Sequence, residues 1–103
     1  MAEVVPNASG IISGRLPIAA TNTVYHFPSI SVPDDMAFAI KAGPANGGLI
    51  YVGGSGPDVL SIETSYPLLP NEPITYRVKN AQSIYFSGTV LGDFVHYTVE
   101  QRR

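Results

Sequence analysis

Cysteine and tryptophan are absent from the 103-residue chain, and charged residues make up only 14% of it. Without a thiol there is no disulfide, no thiolate metal ligand and no thiol nucleophile, so packing or association has to hold a small domain together. Soluble domains usually carry roughly 25% charged residues. A chain with 14% charged and 45% hydrophobic residues therefore has a weakly charged surface suited to burial against partners. The net charge is −2, and the six basic residues, Arg15, Lys41, Arg77, Lys79, Arg102 and Arg103, are scattered. That gives no basic run to neutralise successive phosphates, so no nucleic-acid partner is expected. No stretch of about 18 apolar residues is available for a membrane helix. MAEVVPNASG carries an acid where a signal peptide carries positive charge, so the expectation is a soluble chain with neither leader nor membrane partner. Asn7-Ala8-Ser9 matches a glycosylation sequon by pattern alone.

What the chain has in abundance is punctuation: ten glycines and nine prolines, with no interval between them long enough for an amphipathic helix. The fold class expected is all-β, a single-domain antiparallel sandwich or jelly-roll-like barrel of about eight short strands. The strands are predicted at 10–16, 23–27, 36–41, 49–52, 59–64, 74–78, 83–87 and 93–100. Residues 11–103 form the domain and 1–10 an N-terminal arm, whose Val4, Val5 and Pro6 are the candidate partner contacts.

Alternation is plainest late in the chain. Ile74, Tyr76 and Val78 share one face of their strand, opposite Thr75, Arg77 and Lys79. Val95, Tyr97 and Val99 oppose Phe94, His96, Thr98 and Glu100, the pattern of a sheet with one wet side. The last three strands are expected to form an antiparallel meander, with Leu91-Gly92-Asp93 at a hairpin corner. Pro67, Pro70 and Pro73 cannot donate to a ladder and mark a stiff crossover between sheets.

Several chemistries can be weighed against these residues. GGLIYVGGSGPD (47–58) suggests a nucleophile elbow at Ser55, but Pro57 stands where that motif requires glycine, and 58–62 reads as strand rather than helix. No Gly-Lys-Ser/Thr follows to make a phosphate loop. The segment reads as a strand between corners, with Tyr51 a core or inter-strand aromatic. His26 and His96 stand in different strands, and Asp34, Asp35, Asp58 and Asp93 at corners, with no local His-x-His pair for a metal. Glu63 alternates outward with Ser61 and Ser65. Tyr51, Tyr66, Tyr76, Tyr85 and Tyr97 occupy strand positions that core packing explains. No catalytic, cofactor-binding or metal residue is assigned, no cofactor is expected, and the protein is expected not to be an enzyme.

Four segments carry a further pattern: Gly48-Leu49-Ile50-Tyr51-Val52-Gly53-Gly54, Ser65-Tyr66-Pro67-Leu68-Leu69-Pro70-Asn71-Glu72-Pro73-Ile74, Ile84-Tyr85-Phe86-Ser87-Gly88 and Gly92-Asp93-Phe94-Val95-His96-Tyr97. Together they resemble small virion proteins of tailed bacteriophages, of the capsid decoration or cement type. Asn71 stands where the pattern has glycine, and asparagine also tolerates left-handed φ. The resemblance implies a jelly-roll-like structural protein on the capsid surface of the virion, a homotrimer bridging subunits of the major capsid protein. Another head or tail component, a β module binding glycans or host surfaces, and an enzyme joining a histidine to a carboxylate remain the alternatives.

Overall fold

The computed structural model describes residues 10–101. Alternating apolar and polar residues fold into eight strands: β1 (Gly10–Pro17), β2 (Tyr25–His26), β3 (Phe38–Ala42), β4 (Ile50–Gly53), β5 (Tyr66–Leu68), β6 (Pro73–Tyr76), β7 (Tyr85–Gly88) and β8 (Phe94–Gln101). They form two antiparallel four-stranded sheets, in the orders β1-β8-β3-β6 and β2-β7-β4-β5. Each strand of one sheet thus has a chain neighbour at the same place in the other. This is the strand order of a jelly roll, and the all-β sandwich expected from the sequence is the fold observed. Among the described residues no helix is long and apolar enough to cross a membrane.

The inner faces meet in a core of aliphatic side chains around an aromatic cluster. Phe27, fully buried just after β2, lies 4.8 Å from Phe86 of β7, 5.2 Å from Phe38 of β3 and 5.9 Å from Tyr97 of β8, measured between ring centroids. Tyr25 stacks on Phe86 at 5.5 Å, and Phe38 on Tyr97 at 5.7 Å. Val95, Tyr97 and Val99 point into this core, and so do Ile74, Tyr76 and Val78, as their alternation predicts. Prolines stay on the rims. Pro67 lies in β5 and Pro73 in β6, each the edge strand of its sheet, where a missing N–H costs no ladder bond. The chain passes from one sheet to the other between them, and Asn71 takes the left-handed conformation there, with φ 69°.

Five expectations are corrected. Residues 59–64 are not a strand. Ser55-Gly56-Pro57-Asp58 starts a one-turn helix, α1 (Gly56–Val59), in which the Ser55 hydroxyl accepts the Asp58 N–H at 3.3 Å, and turns follow. A serine N-cap, a proline in the first turn and an early acid are helix-start signals that outweigh the β-branched residues downstream. Glu63 accordingly lies in a turn and not on a strand face. The last three strands are no meander: β6 and β8 belong to one sheet and β7 to the other. Gly92, with φ 84°, therefore turns an arch between sheets rather than a hairpin. Of the two places open to Tyr51 it takes the inter-strand one, on the outer face of β4, half-buried between Pro67 and Ser87, whereas Tyr66 and Tyr85, expected to pack in the core, lie outside it.

α1 explains Gly53. It packs across the outer face of its sheet, where the buried Ser87 hydroxyl donates to the Val59 carbonyl at 2.6 Å. A Cβ on Gly53 would sit 3.1 Å from Val59 Cγ1, whereas one on Gly54 meets nothing within 4 Å. Neither glycine has positive φ among the described residues, so crowding and not backbone freedom selects glycine at 53.

These contacts set three expected outcomes. In urea denaturation, Phe27→Ala should cost about 3–5 kcal/mol, as a buried ring deletion does, and Tyr51→Ala clearly less. Ser55→Ala should cost about 0.5–1 kcal/mol through the lost cap, and Gly53→Val more than Gly54→Val; equal effects at 53 and 54 would contradict the α1 packing. The third concerns pH. Burial, helped by neighbouring Tyr66, raises the Tyr76 phenol above its ordinary pKa. The folded state holds that proton more tightly than the unfolded chain, so its contribution is intact below about pH 10 and is lost as pH rises through the elevated value. Melting curves in alkaline buffers should show a steeper fall for the wild type than for Tyr76→Phe.

Candidate functional site

Jelly-roll order gathers four connections at one end of the sandwich: residues 18–24 after β1, 43–49 after β3, 69–72 after β5 and 89–93 after β7. Asp93 ties three of them together. Only 6% exposed, its carboxylate accepts the N–H of Gly47 at 2.9 Å and of Gly48 at 3.0 Å, while its carbonyl accepts the N–H of Ile18 at 2.8 Å. Asn46 adds a two-bond bridge to Phe94, donating to its carbonyl at 2.8 Å and accepting its N–H at 2.9 Å. On the other flank, Asn71 N–H donates to the Ala42 carbonyl at 3.1 Å, and Glu72 Oε1 accepts the Leu69 N–H at 2.9 Å. A Cβ on Gly48 would strike Thr89 Oγ1 and Val90, so glycine there lets 43–49 and 89–93 close up.

The consequence is a fixed surface whose acids are engaged. The two acids of these connections, Asp93 and Glu72, are turned to backbone N–H groups. What faces outward is uncharged: apolar Leu91 at 64% exposure, Leu69 at 57% and Val90 at 38%, exposed Ala19, Ala20, Pro44 and Pro70, and the polar Thr21, Asn22, Thr23, Asn71 and Thr89 beside them. The opposite end carries charge of both signs, from Asp34, Asp35, Asp58, Glu63, Arg77 and Lys79. Charge depletion combined with exposed apolar side chains is the composition of an interface centre.

A second feature lies on the outer face of the β1-β8-β3-β6 sheet, a concave groove of about 550 Å³. Strand register builds it in rows. Arg15 pairs with His96 and His96 with Lys41, and Lys41 pairs with Pro73. In the next row Ser13 pairs with Thr98, and Thr98 with Ala39. The Arg15 guanidinium lies over the Phe94 ring, 4.2 Å from its centroid.

The residues singled out in the sequence fall as follows. Val4, Val5, Pro6 and the Asn7 sequon lie outside the described residues. His26, on β2, lies on the outer face of one sheet, its ring 6.0 Å from Tyr85 and its Nδ1 2.9 Å from the Phe27 carbonyl. His96 is on the outer face of the other sheet, so the sandwich separates the two histidines. Among the described residues, no three His, Asp or Glu side chains gather as metal ligands. Ser55 caps α1 and Asp93 clamps backbone. Sequence reasoning missed both surfaces. The signal for the loop end was present, since 18–24 and 43–49 contain no charged residue. The groove depends on pairing β1 with β8, opposite ends of the chain.

No protein-family model, curated protein or solved structure matches the chain.

Proposed function

We propose that the protein is a non-enzymatic virion structural protein of the capsid decoration type, which docks its apolar loop end on the major capsid protein of a phage head. The observation that carries this reading is the apolar surface of Leu69, Val90 and Leu91, held on a hydrogen-bonded frame. A surface already fixed before contact loses little conformational freedom on binding, and the scarcity of charge avoids desolvation costs at the centre of the contact.

The residues of the phage-like pattern support the reading by their places. Ile50, Val52, Leu68, Ile84, Phe86 and Val95 are buried, while Asn71, Glu72, Gly92 and Asp93 shape the loop end. The pattern thus specifies a frame and a docking end rather than reacting groups. The jelly roll is itself an architecture used by viral capsid and lectin domains, which is an argument by analogy. A homotrimer would set three such ends on one shell, where multivalency turns modest contacts into lasting attachment. Among the described residues β1 is an edge strand, and with Ile11 69% exposed this edge is available for contact between subunits. The arm bearing Val4, Val5 and Pro6 is assigned to the shell or to a neighbouring subunit.

Undecorated heads assembled from the same phage genome provide the test. The double variant Leu69→Asp, Leu91→Asp should lose attachment in co-sedimentation while its melting temperature stays near wild type, since both side chains are exposed. Attachment equal to wild type would contradict the assignment. Deleting residues 1–9 should weaken attachment without altering domain stability. Sedimentation should give a trimer of the 11.0 kDa chain; a strict monomer at high micromolar concentration that also fails to assemble on heads counts against the proposal.

A further inference from the structure

We propose that the outer groove of the β1-β8-β3-β6 sheet is a binding site for a polyhydroxylated anion, a saccharide that carries a carboxylate or a phosphate. The site is separate from the loop end, and its assignment does not depend on the docking of that end.

Three nitrogen-bearing side chains stand in one cross-strand row, Arg15 on β1, His96 on β8 and Lys41 on β3. Neighbouring strands are about 4.8 Å apart, so Arg15 and Lys41 flank His96 at a span of roughly 10 Å. This spacing suits one anionic group over the middle strand, reached by donors from both sides. Arg15 is already braced, because its guanidinium lies on the Phe94 ring, and a braced cation loses less freedom when it engages an anion. No side-chain hydrogen bond or ion pair found among the described residues uses Lys41 or His96. Along β8 the first carboxylate on this face is Glu100, four residues and about 13 Å from His96. Beside the row on β6, Glu72 precedes Pro73, but its carboxylate is turned to the Leu69 N–H, so the side chains lining the groove itself carry positive charge in a chain whose net charge is −2.

The adjoining row selects the rest of the ligand. Ser13 and Thr98 present hydroxyls beside the cations, and Ala39 between Thr98 and β6 leaves room above the sheet. Hydroxyls both donate and accept, so they match the ring hydroxyls of a sugar. The volume of about 550 Å³ is in the range of small-ligand sites. An extended acidic polymer fits less well. Past the cationic row the strands offer Ser13, Thr98 and Ala39 but no second cation, and Pro73 bounds the row on β6.

The test is a titration of the 103-residue chain, by calorimetry or by amide chemical shifts, with glucuronate, glucose 6-phosphate, glucose and inorganic phosphate. The expected result is saturable binding of glucuronate or glucose 6-phosphate, weaker binding of phosphate, and none of glucose; the first two arms distinguish carboxylate from phosphate. Lys41→Glu and Arg15→Glu should each reduce affinity at least about tenfold, and His96→Gln should reduce it with the strand intact. Lys79→Glu, at the opposite end, should leave affinity unchanged. Added salt should weaken binding, as for any exposed charge contact. Glucose binding as tightly as the acidic sugars, phosphate alone matching glucose 6-phosphate, no saturable binding of either acidic sugar, or a folded Lys41→Glu with unaltered affinity would overturn the proposal.

Discussion

The burial of Phe27 between the two sheets is the constraint on which the rest of this molecule depends. β2 is only two residues long and β5 three, so the ladder of their sheet supplies few hydrogen bonds and the chain has no disulfide to reinforce it. The aromatic contacts among Phe27, Phe86, Phe38 and Tyr97 take that role, pinning β7 of one sheet to β3 and β8 of the other. Because strand side chains alternate, fixing Phe38 and Tyr97 inward fixes Lys41 and His96 outward. The same core that stabilises the sandwich sets the register of the surface groove.

Charge is distributed unevenly over this frame. At the loop end, the acids hold backbone: Asp93 takes two N–H groups of the Gly47-Gly48 corner, and Glu72 takes that of Leu69. Their charge is thereby engaged in fixing the turns, and the outward surface is left to uncharged residues, with Leu69, Val90 and Leu91 its large apolar side chains. The sheet face next to it carries Arg15, His96 and Lys41 in one row. Two adjoining surfaces of one small domain thus differ sharply in chemistry, one suited to an apolar protein surface and the other to an anionic solute.

Much of the frame is legible in the sequence because its signals are local. Alternation identifies β6 and β8, proline spacing identifies the passage between sheets, and the asparagine at 71 announces its own left-handed turn. α1 is obscured because Val59, Leu60 and Ile62 resemble a strand, although the Ser55 cap and Pro57 dictate a helical turn. β5 is obscured by Pro67, which an edge position tolerates. The assumption that sequential strands pair holds for β4 and β5 but fails for β6, β7 and β8, since the chain changes sheet at each of those last steps. The groove is hidden for the same reason: Arg15, Lys41 and His96 are scattered in sequence and meet only through the pairing of β8 with β1 and β3.

The central claim, that the apolar loop end is the attachment surface, is tested most directly by an electron cryomicroscopy reconstruction of a phage head carrying the protein. Residues 18–24, 43–49, 69–72 and 89–93 should lie against the shell, with the charged end bearing Asp34, Asp58 and Lys79 pointing to solvent. A reconstruction in which the charged end meets the shell and Leu69 and Leu91 face solvent would contradict it.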